Sequence, residues 1–538
     1  MPKLQTNGAK QKRTTYMILL LWAAVCFALL VVDWCCWAPN RLDADMASEQ
    51  LLANLLAQEG GVMSTSWYYS TELRVLNTQL VMAPLFRLFT SWHTVRVVGS
   101  VVLILLYLAA WFWFGRSAKL KYSGLLGAGL LVLPYGALYR QYVLEGLYYI
   151  PHIAISFVVL GCAVRILRGG RRLAPAAGMV LFSFAAALGG PRQLFILNIP
   201  LTVVAALLCW LDAPPADTLR QKLANAWRTP GGALLVPTLA ADAAALAGYL
   251  INAKVLAEKY HFQDQGYVAF TGLNLDRLQW FVNALLASFG WQEGKVFSLA
   301  ALFNLASAAL ILFCFVFSVQ LVRGKARYPL GHRLVGAFFL AGAVCFALLY
   351  GLTNSGHSDR YLLPLAILFV PLLEIMLADC TPLHRPDARG LTALLAAILL
   401  LRAGTDYRAA AVAANPNQGA AQFLVQNGYR DGYASFWDGN VMTELTDGTL
   451  NVWTLTPNSV PELRPWLQVT SHLQTPPQGK IFFVISKWEA YGERQPTTQA
   501  LADAMTEDAL IYEDETVKIY GFASDEAMRQ ACGFAAFP

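Results

Sequence analysis

Long apolar runs separated by short basic segments constrain this chain more than any other feature. A helix that crosses a bilayer needs about 20 mostly apolar residues. Eleven runs approach or reach that length: Tyr16–Trp34, Val95–Phe114, Tyr122–Leu138, Tyr148–Leu167, Leu173–Leu188, Leu194–Leu211, Ala233–Leu250, Val296–Val322, Leu334–Leu352, Tyr361–Leu377 and Leu391–Leu401. The last is short, and Leu173–Leu188 is interrupted by Gly178. Of 538 residues, 57% are hydrophobic and 14% charged, where a soluble chain would carry about 25% charged residues. The expected fold is therefore a polytopic α-helical membrane protein with about eleven transmembrane helices. Collagen, disorder and a nucleic-acid-binding globule are excluded. Tyr16–Trp34 is similar to a signal-peptide core, but no small-x-small cleavage site follows it, so it reads as a retained anchor.

Basic residues set the orientation, because cytoplasmic segments accumulate Lys and Arg. With the N-terminus inside, the inner segments hold twenty of them: Lys3 to Arg13, Arg116 to Lys121, Arg165 to Arg172, Arg220 to Arg228, Arg323 to Arg333, and Arg385 with Arg389. Each short outer loop holds one, Arg140, Arg192 or Arg360. The reading is N-in and C-out. Residues 1–15 form a cytoplasmic N-terminus and 16–403 the membrane domain, with a first outer loop over 35–94 and a second over 251–295. Residues 404–538 turn polar and form an expected extracytoplasmic α/β domain. Within it Gln418–Gln426 and Thr497–Met505 are helix-like. Gly432–Trp437, Thr449–Thr454, Lys480–Ser486 and Thr516–Phe522 are strand-like, and Asp447-Gly448 between two of them predicts a hairpin.

Charged groups in such a protein gather where water or a polar ligand must be accommodated, which directs attention to the outer loops. The first opens with Asp43-Ala-Asp45. An amphipathic helix follows, with a stripe of Leu51, Leu52, Leu55 and Leu56, and Gly60-Gly61 ends it. Asp45 and Glu49 stand four apart and share a face. Asp43, Asp45 and Glu49 are the candidate ligands if a divalent metal is used. The same spacing also fits a solvated helix whose acids complement its dipole.

Further along come Trp67-Tyr68-Tyr69 and then Glu72, Arg74, Asn77 and Gln79. Aromatic faces stack on pyranose rings while acids and amides bind hydroxyls, so Tyr68, Tyr69, Glu72 and Arg74 are candidate sugar-facing groups. An interfacial aromatic belt with a local Glu72–Arg74 pair is the alternative. Arg140, Arg192 and Arg360, at the outer ends of different spans, offer forked donors suited to one phosphate. Each alone also fits snorkelling to lipid headgroups or a local pair, such as Arg360 with Asp359. The second outer loop carries an amphipathic stretch, Leu278–Phe289. His152, within a span, reads as a core histidine.

Several chemistries lack support. There is no Walker A sequence, no GxGxxG and no HExxH. The nine cysteines form no CxxC. Glu374, near the cytoplasmic end of its run, reads as the only carboxylate within the spans, which counts against an ion-coupled transporter.

The plan now resembles a known family. A short cytoplasmic N-terminus, one span and a long outer loop opening with acids and an amphipathic helix is similar to the GT-C glycosyltransferases, in the branch of protein mannosyltransferases and aminoarabinose transferases. The local pieces are Asp43-x-Asp45 with the helix after it, Gly-Pro-Arg192, and Arg360-Tyr361-x-x-Pro364. Members commonly present Asp-Glu where this chain has Asp43-Ala-Asp45.

The resemblance implies a sugar donor linked to a polyprenyl phosphate or diphosphate, and transfer to a glycan, lipid or protein acceptor on the outer face of a plasma membrane, most simply a bacterial one. It implies an acid of the first loop as general base: Asp45, then Asp43, then Glu72. Arg192 and Arg360, with Arg140 behind them, would hold the leaving phosphate. Some members use a divalent metal; nothing in this sequence requires one. Two other classes are compatible with the sequence. One is a transporter or flippase of a lipid-linked or polar solute. The other is a noncatalytic scaffold whose outer domain binds a partner.

Overall fold

The structure is a computed structural model and describes residues 2–170, 172–263, 268–355, 358–379, 386–456, 462–487 and 505–533. The helix-like stretch Thr497–Met505 lies outside the described residues, Met505 apart. Two compact units result. The first comprises residues 1–33, 102–253 and 266–407, and the second 34–101, 254–265 and 408–538. Residues of both long loops thus share a unit with the tail.

Eight helices among the described residues are long and apolar enough to cross a membrane: Arg13–Cys36, Trp92–Ala118, Ile150–Leu167, Leu194–Asp212, Pro230–Lys259, Leu299–Arg323, Leu330–Leu352 and Asp359–Leu377. Each overlaps one of the expected runs. The other three runs differ. Leu173–Ala187 is a helix of only 15 residues. Leu391–Leu401 lies inside a longer helix, Pro386–Val412, which carries Arg402, Asp406 and Arg408. Tyr122–Leu138 is not one helix at all. It begins as a 3-10 turn (Lys121–Gly124), continues as a short helix (Leu125–Leu131) and then breaks ahead of Ala137–Tyr139.

The break has local causes. Tyr122 and Gly124, at φ of 51° and 78°, separate the 3-10 turn from the short helix, and Pro134 with the extended Gly136, at φ −169° and ψ 157°, lies in the break ahead of Ala137. The Gly124 carbonyl accepts instead from the Trp111 indole at 2.8 Å. Glu374 then explains itself as structure: its carboxylate accepts from the Gly127 backbone N–H at 2.8 Å, an acid placed on the positive end of the short helix. Glu374 is not the only carboxylate within a span: Asp242 lies in the Pro230–Lys259 helix and accepts from the Thr202 hydroxyl at 2.6 Å.

The second unit is built on a five-stranded mixed sheet. Its strands are β2 (Asp431–Ser435), β3 (Asn451–Leu455), β5 (Ile481–Ser486), β6 (Leu510–Glu513) and β7 (Val517–Phe522), in the order β3-β2-β5-β7-β6. A separate two-stranded ribbon pairs β1 (Trp67–Tyr68) antiparallel with β4 (Gln468–Val469). Alternating side chains bury both sheet faces. Ala434, Val452, Val484 and Ile519 meet the Gln418–Gln426 helix on one face. Tyr433, Phe483, Ile485 and Tyr520 meet Met528 on the other.

The expected hairpin at Asp447-Gly448 is overturned. β2 and β3 are parallel, in register from Asp431↔Asn451 to Ser435↔Leu455, and the helix Phe436–Leu445 crosses between them. Asp447 and Gly448, at φ of 50° and 74°, terminate that helix. Gly448 N–H donates to the Thr443 carbonyl at 2.8 Å and Asp447 N–H to the Glu444 carbonyl at 3.1 Å. A left-handed pair closes a helix as readily as it turns a hairpin, and here the preceding residues had helix length.

Candidate functional site

In the second unit the acids of the first loop sit on the helix Ala44–Glu59, with Asp43 as its N-cap. The Asp43 carboxylate accepts from the Met46 backbone N–H at 2.8 Å, so this acid caps the helix as the dipole reading expected. Asp45 lies in the first turn. Glu49 follows one turn on and is the centre of a polar network. It accepts from the Thr78 hydroxyl at 2.5 Å and from the Asn77 amide at 2.8 Å, and Arg74 lies 4.0 Å away. The Arg74 guanidinium also pairs with Glu72 at 3.3 Å. Glu49, Glu72, Arg74 and Tyr69 line one small cleft.

Burial lifts the Glu49 carboxyl above the ordinary glutamate value; Arg74, Thr78 and Asn77 pull it back, and Asp45 adds to the lift. A titratable group so placed in a cleft is a candidate functional residue. Sequence reasoning named Glu49 only as a possible metal ligand, because the residues that hold it come from a segment almost thirty positions further on.

Strand alternation divides the aromatic triad. Trp67 and Tyr69 point inward and are 1% and 4% exposed, while Tyr68 is half-buried. Tyr69 accepts from the Ser64 N–H at 2.9 Å and meets the Tyr260 ring edge-on. Its face is therefore packed, not presented as a sugar platform, and burial raises its phenol. Tyr68 stacks on His261, with ring centroids 6.0 Å apart. Among the described residues no three His, Cys, Asp or Glu gather as a metal site. The Asp43 carboxylate is engaged by its own helix, and Glu49 by Asn77 and Thr78.

The first unit brings two of the three arginines to one aromatic cluster. The Arg192 guanidinium donates to the Tyr149 hydroxyl at 3.1 Å and lies over the rings of Tyr149 and Tyr361, 5.4 and 4.8 Å from their centroids. Arg360 lies over Tyr142 at 5.0 Å, and Tyr142 meets Tyr149 edge-on at 6.2 Å. Local structure holds the cluster in place. Gly190, at φ 110°, turns the chain ahead of Pro191. Next to Arg192, Gln193 clamps His152 by an Oε1–Nδ1 contact of 3.0 Å and reaches Ser156 at 3.2 Å. The helix Leu275–Ser288, close to the expected Leu278–Phe289, hydrogen-bonds the Asp359 carbonyl through Ser288 at 2.8 Å, which fixes the backbone beside Arg360.

Arg140 is different. It ion-pairs with Glu145 at 3.5 Å and Asp406 at 3.3 Å. Two carboxylates already offset its charge, so its setting is that of a structural ion pair.

A long apolar helical unit with a stacked arginine–tyrosine cluster, and a mixed α/β sheet unit with the acidic helix, define a class: the chain is a polytopic helical membrane protein with the fold of ArnT. The likeness runs through nearly the whole chain. ArnT from Cupriavidus metallidurans in the apo state aligns with a TM-score of 0.53 at 12% identity, over 95% of this chain and 98% of ArnT. The same protein bound to undecaprenyl phosphate aligns with a TM-score of 0.52 at 12% identity, over 93% and 97%. An oligosaccharyltransferase from Archaeoglobus fulgidus lies further off, with a TM-score of 0.43 at 12% identity, over 87% of this chain and 68% of that one. No protein-family model matches the sequence, and no curated protein does.

Proposed function

We propose that this protein is a membrane glycosyltransferase that moves a sugar from a polyprenyl-phosphate-linked donor to an acceptor hydroxyl on the outer face of the plasma membrane. The observation that carries the reading is the fold shared over nearly the whole chain with ArnT, a protein solved with undecaprenyl phosphate bound. The basic inner segments support an active face on the outside. Arg192 and Arg360 are the proposed phosphate ligands. Their stacking on Tyr149, Tyr361 and Tyr142 pre-sets the guanidinium planes and lowers the entropy cost of holding an oxyanion.

The reaction balances simply. Asp45 takes the proton of the acceptor hydroxyl, whose oxygen attacks the anomeric carbon with inversion. The bond from that carbon to the phosphate oxygen breaks, and the lipid phosphate leaves with the bonding pair. Arginine charge stabilises that leaving group, the kind of electrostatic contribution that dominates many rate enhancements. Asp45 keeps the first place that the family resemblance gives it; the Asp43 carboxylate caps the helix and Glu72 pairs with Arg74.

Mass spectrometry of polyprenyl-linked sugars and surface glycans tests the reading, comparing wild type with Asp45→Asn at matched expression. Accumulation of one lipid-linked sugar, with loss of that sugar from one surface glycan, is the expected result. Profiles identical to wild type would remove Asp45 from the mechanism. Donor stranded on the inner leaflet, with no covalent change in wild type, would replace the transferase by a flippase.

A further inference from the structure

Away from the Glu49–Arg74 network, the second unit contains a cleft of about 180 Å³ whose chemistry neither the base nor the phosphate ligands use. Its wall on one side is a helical stripe of Leu51, Asn54, Leu55 and Gln58. Trp67 and Trp92 form another part, and Asn440, Thr443, Gln468 and His472 belong to the rest of the lining. No Asp, Glu, Lys or Arg lines it. Burial pushes His472 down to about 3, so its ring is neutral at any physiological pH.

The histidine tautomer follows from its partners. The Asn451 amide donates to the Asp431 carboxylate at 3.3 Å, which turns the Asn451 oxygen towards His472. His472 Nε2 must then carry the proton and donate across 3.0 Å. Its Nδ1 is an acceptor, and it is buried with no hydrogen-bond partner; the Trp67 indole N–H is buried and equally unmet. Buried polar atoms are normally satisfied. Here one donor and one acceptor are left over on residues of the same cleft. Asn54 and Gln58 also line the cleft.

We propose that this cleft binds a neutral carbohydrate, one ring of a longer glycan. A hydroxyl donates and accepts at once, and so answers both an orphaned indole N–H and an orphaned imidazole nitrogen. The side-chain amides of Asn54 and Gln58 supply the further donors and acceptors that a hydroxylated ring needs, since those of Asn440, Asn451 and Gln468 are already bonded within the protein. The tryptophans give the ring an apolar wall. The absence of charge disfavours phosphates, carboxylates and ammonium groups. At about 180 Å³ the cleft falls below the roughly 300–1,000 Å³ of sites that engulf a drug-sized ligand, so it takes a single unit and leaves the rest of the chain outside. The proposal goes beyond the transferase reading, since it concerns a second saccharide site that needs neither donor nor turnover.

Saturation-transfer NMR on the full chain in lipid nanodiscs, free of sugar detergents, provides the test. The probes are mannotriose, chitotriose, maltotriose and, as the anionic control, trigalacturonate. At least one neutral trisaccharide is expected to receive saturation, with trigalacturonate at least tenfold weaker. Asn54→Ala with Gln58→Ala, and separately Trp67→Phe, should weaken the neutral probe tenfold or more. The helix double variant should melt as wild type does, which separates lost binding from lost folding. No saturation of any neutral probe, or binding untouched by the helix double variant, overturns the proposal. Because no lipid-linked donor is present, either result leaves the transferase reading to be decided by its own experiment.

Discussion

Arg96 and Glu444 form a two-pronged ion pair across 348 positions of sequence. Arg96 Nε meets Oε1, and its terminal nitrogen meets Oε2, each at 2.6 Å. The two side chains are 11% and 6% exposed. The same guanidinium donates to the Met46 carbonyl at 2.9 Å. One arginine thus ties the start of the Trp92–Ala118 helix, the acidic helix and the crossover helix of the sheet together.

Breaking one half of that pair should strand a buried charge. Arg96→Met or Glu444→Gln is expected to cost about 3–5 kcal/mol, whereas replacing both with apolar residues of similar volume should cost less than either single change. Thermal unfolding of the three variants measures the order. A double variant less stable than both singles would show that the pair itself, and not the stranded charge, carries the energy.

Acidification should destabilise the second unit through His472. Its folded pKa of about 3 lies below the ordinary 6.5, so between those values the unfolded chain binds the extra proton. Stability therefore falls as pH drops from about 6.5, and the loss levels off near pH 3. One titrating group changes stability by at most about 1.4 kcal/mol per pH unit. His472→Gln should flatten this part of the profile, measured as unfolding midpoints from pH 7 to pH 5. An unchanged slope would reassign it to other groups.

Gly448 should resist substitution. Its φ of 74° suits glycine, and an added Cβ would stand 2.8 Å from the Trp92 ring. Gly448→Ala is expected to cost about 1–3 kcal/mol, the range for a non-glycine residue held in the left-handed region. Gly428, also at positive φ but with open space around it, should lose less on the same change. Equal losses would mean that backbone strain alone, without the ring, sets the effect.

The arginines should separate by role. On the transferase reading, Arg192→Ala should lower kcat/KM for a polyprenyl-phosphate donor by roughly 10²–10³-fold, the scale for removing one transition-state donor. Arg192→Lys should recover only part, since an ammonium neither forks nor stacks as a guanidinium does. Arg140→Ala should instead lower the melting temperature with little change in donor affinity, because Glu145 and Asp406 already offset its charge. Equal kinetic losses at the two positions would overturn this division.

Much of the fold was legible along the chain. Eight expected spans appear as long apolar helices, because hydrophobic length alone specifies them. In the tail, Gln418–Gln426 forms a helix with the expected bounds. Lys480–Ser486 and Thr516–Phe522 shorten by one residue each to become β5 and β7. Local propensity and alternation suffice for such elements. Tyr122–Leu138 is apolar throughout in composition, yet positive-φ turns at Tyr122 and Gly124 and the Pro134–Gly136 stretch divide it.

What the sequence determined by itself was therefore the set of elements: apolar helices between basic segments, an acidic amphipathic helix and a strand-rich polar tail. Their types follow from near-neighbour chemistry, which any stretch of chain carries with it. Only tertiary structure decided which elements meet. It made β2 and β3 parallel around a helix where Asp447-Gly448 suggested a hairpin. It gathered Asn77 and Thr78 onto Glu49, set Arg192 and Arg360 among the same tyrosines, and left Trp67 and His472 unsatisfied in one cleft. Such pairings depend on how distant segments bury their faces together, and residues so far apart leave no mark on each other's local sequence.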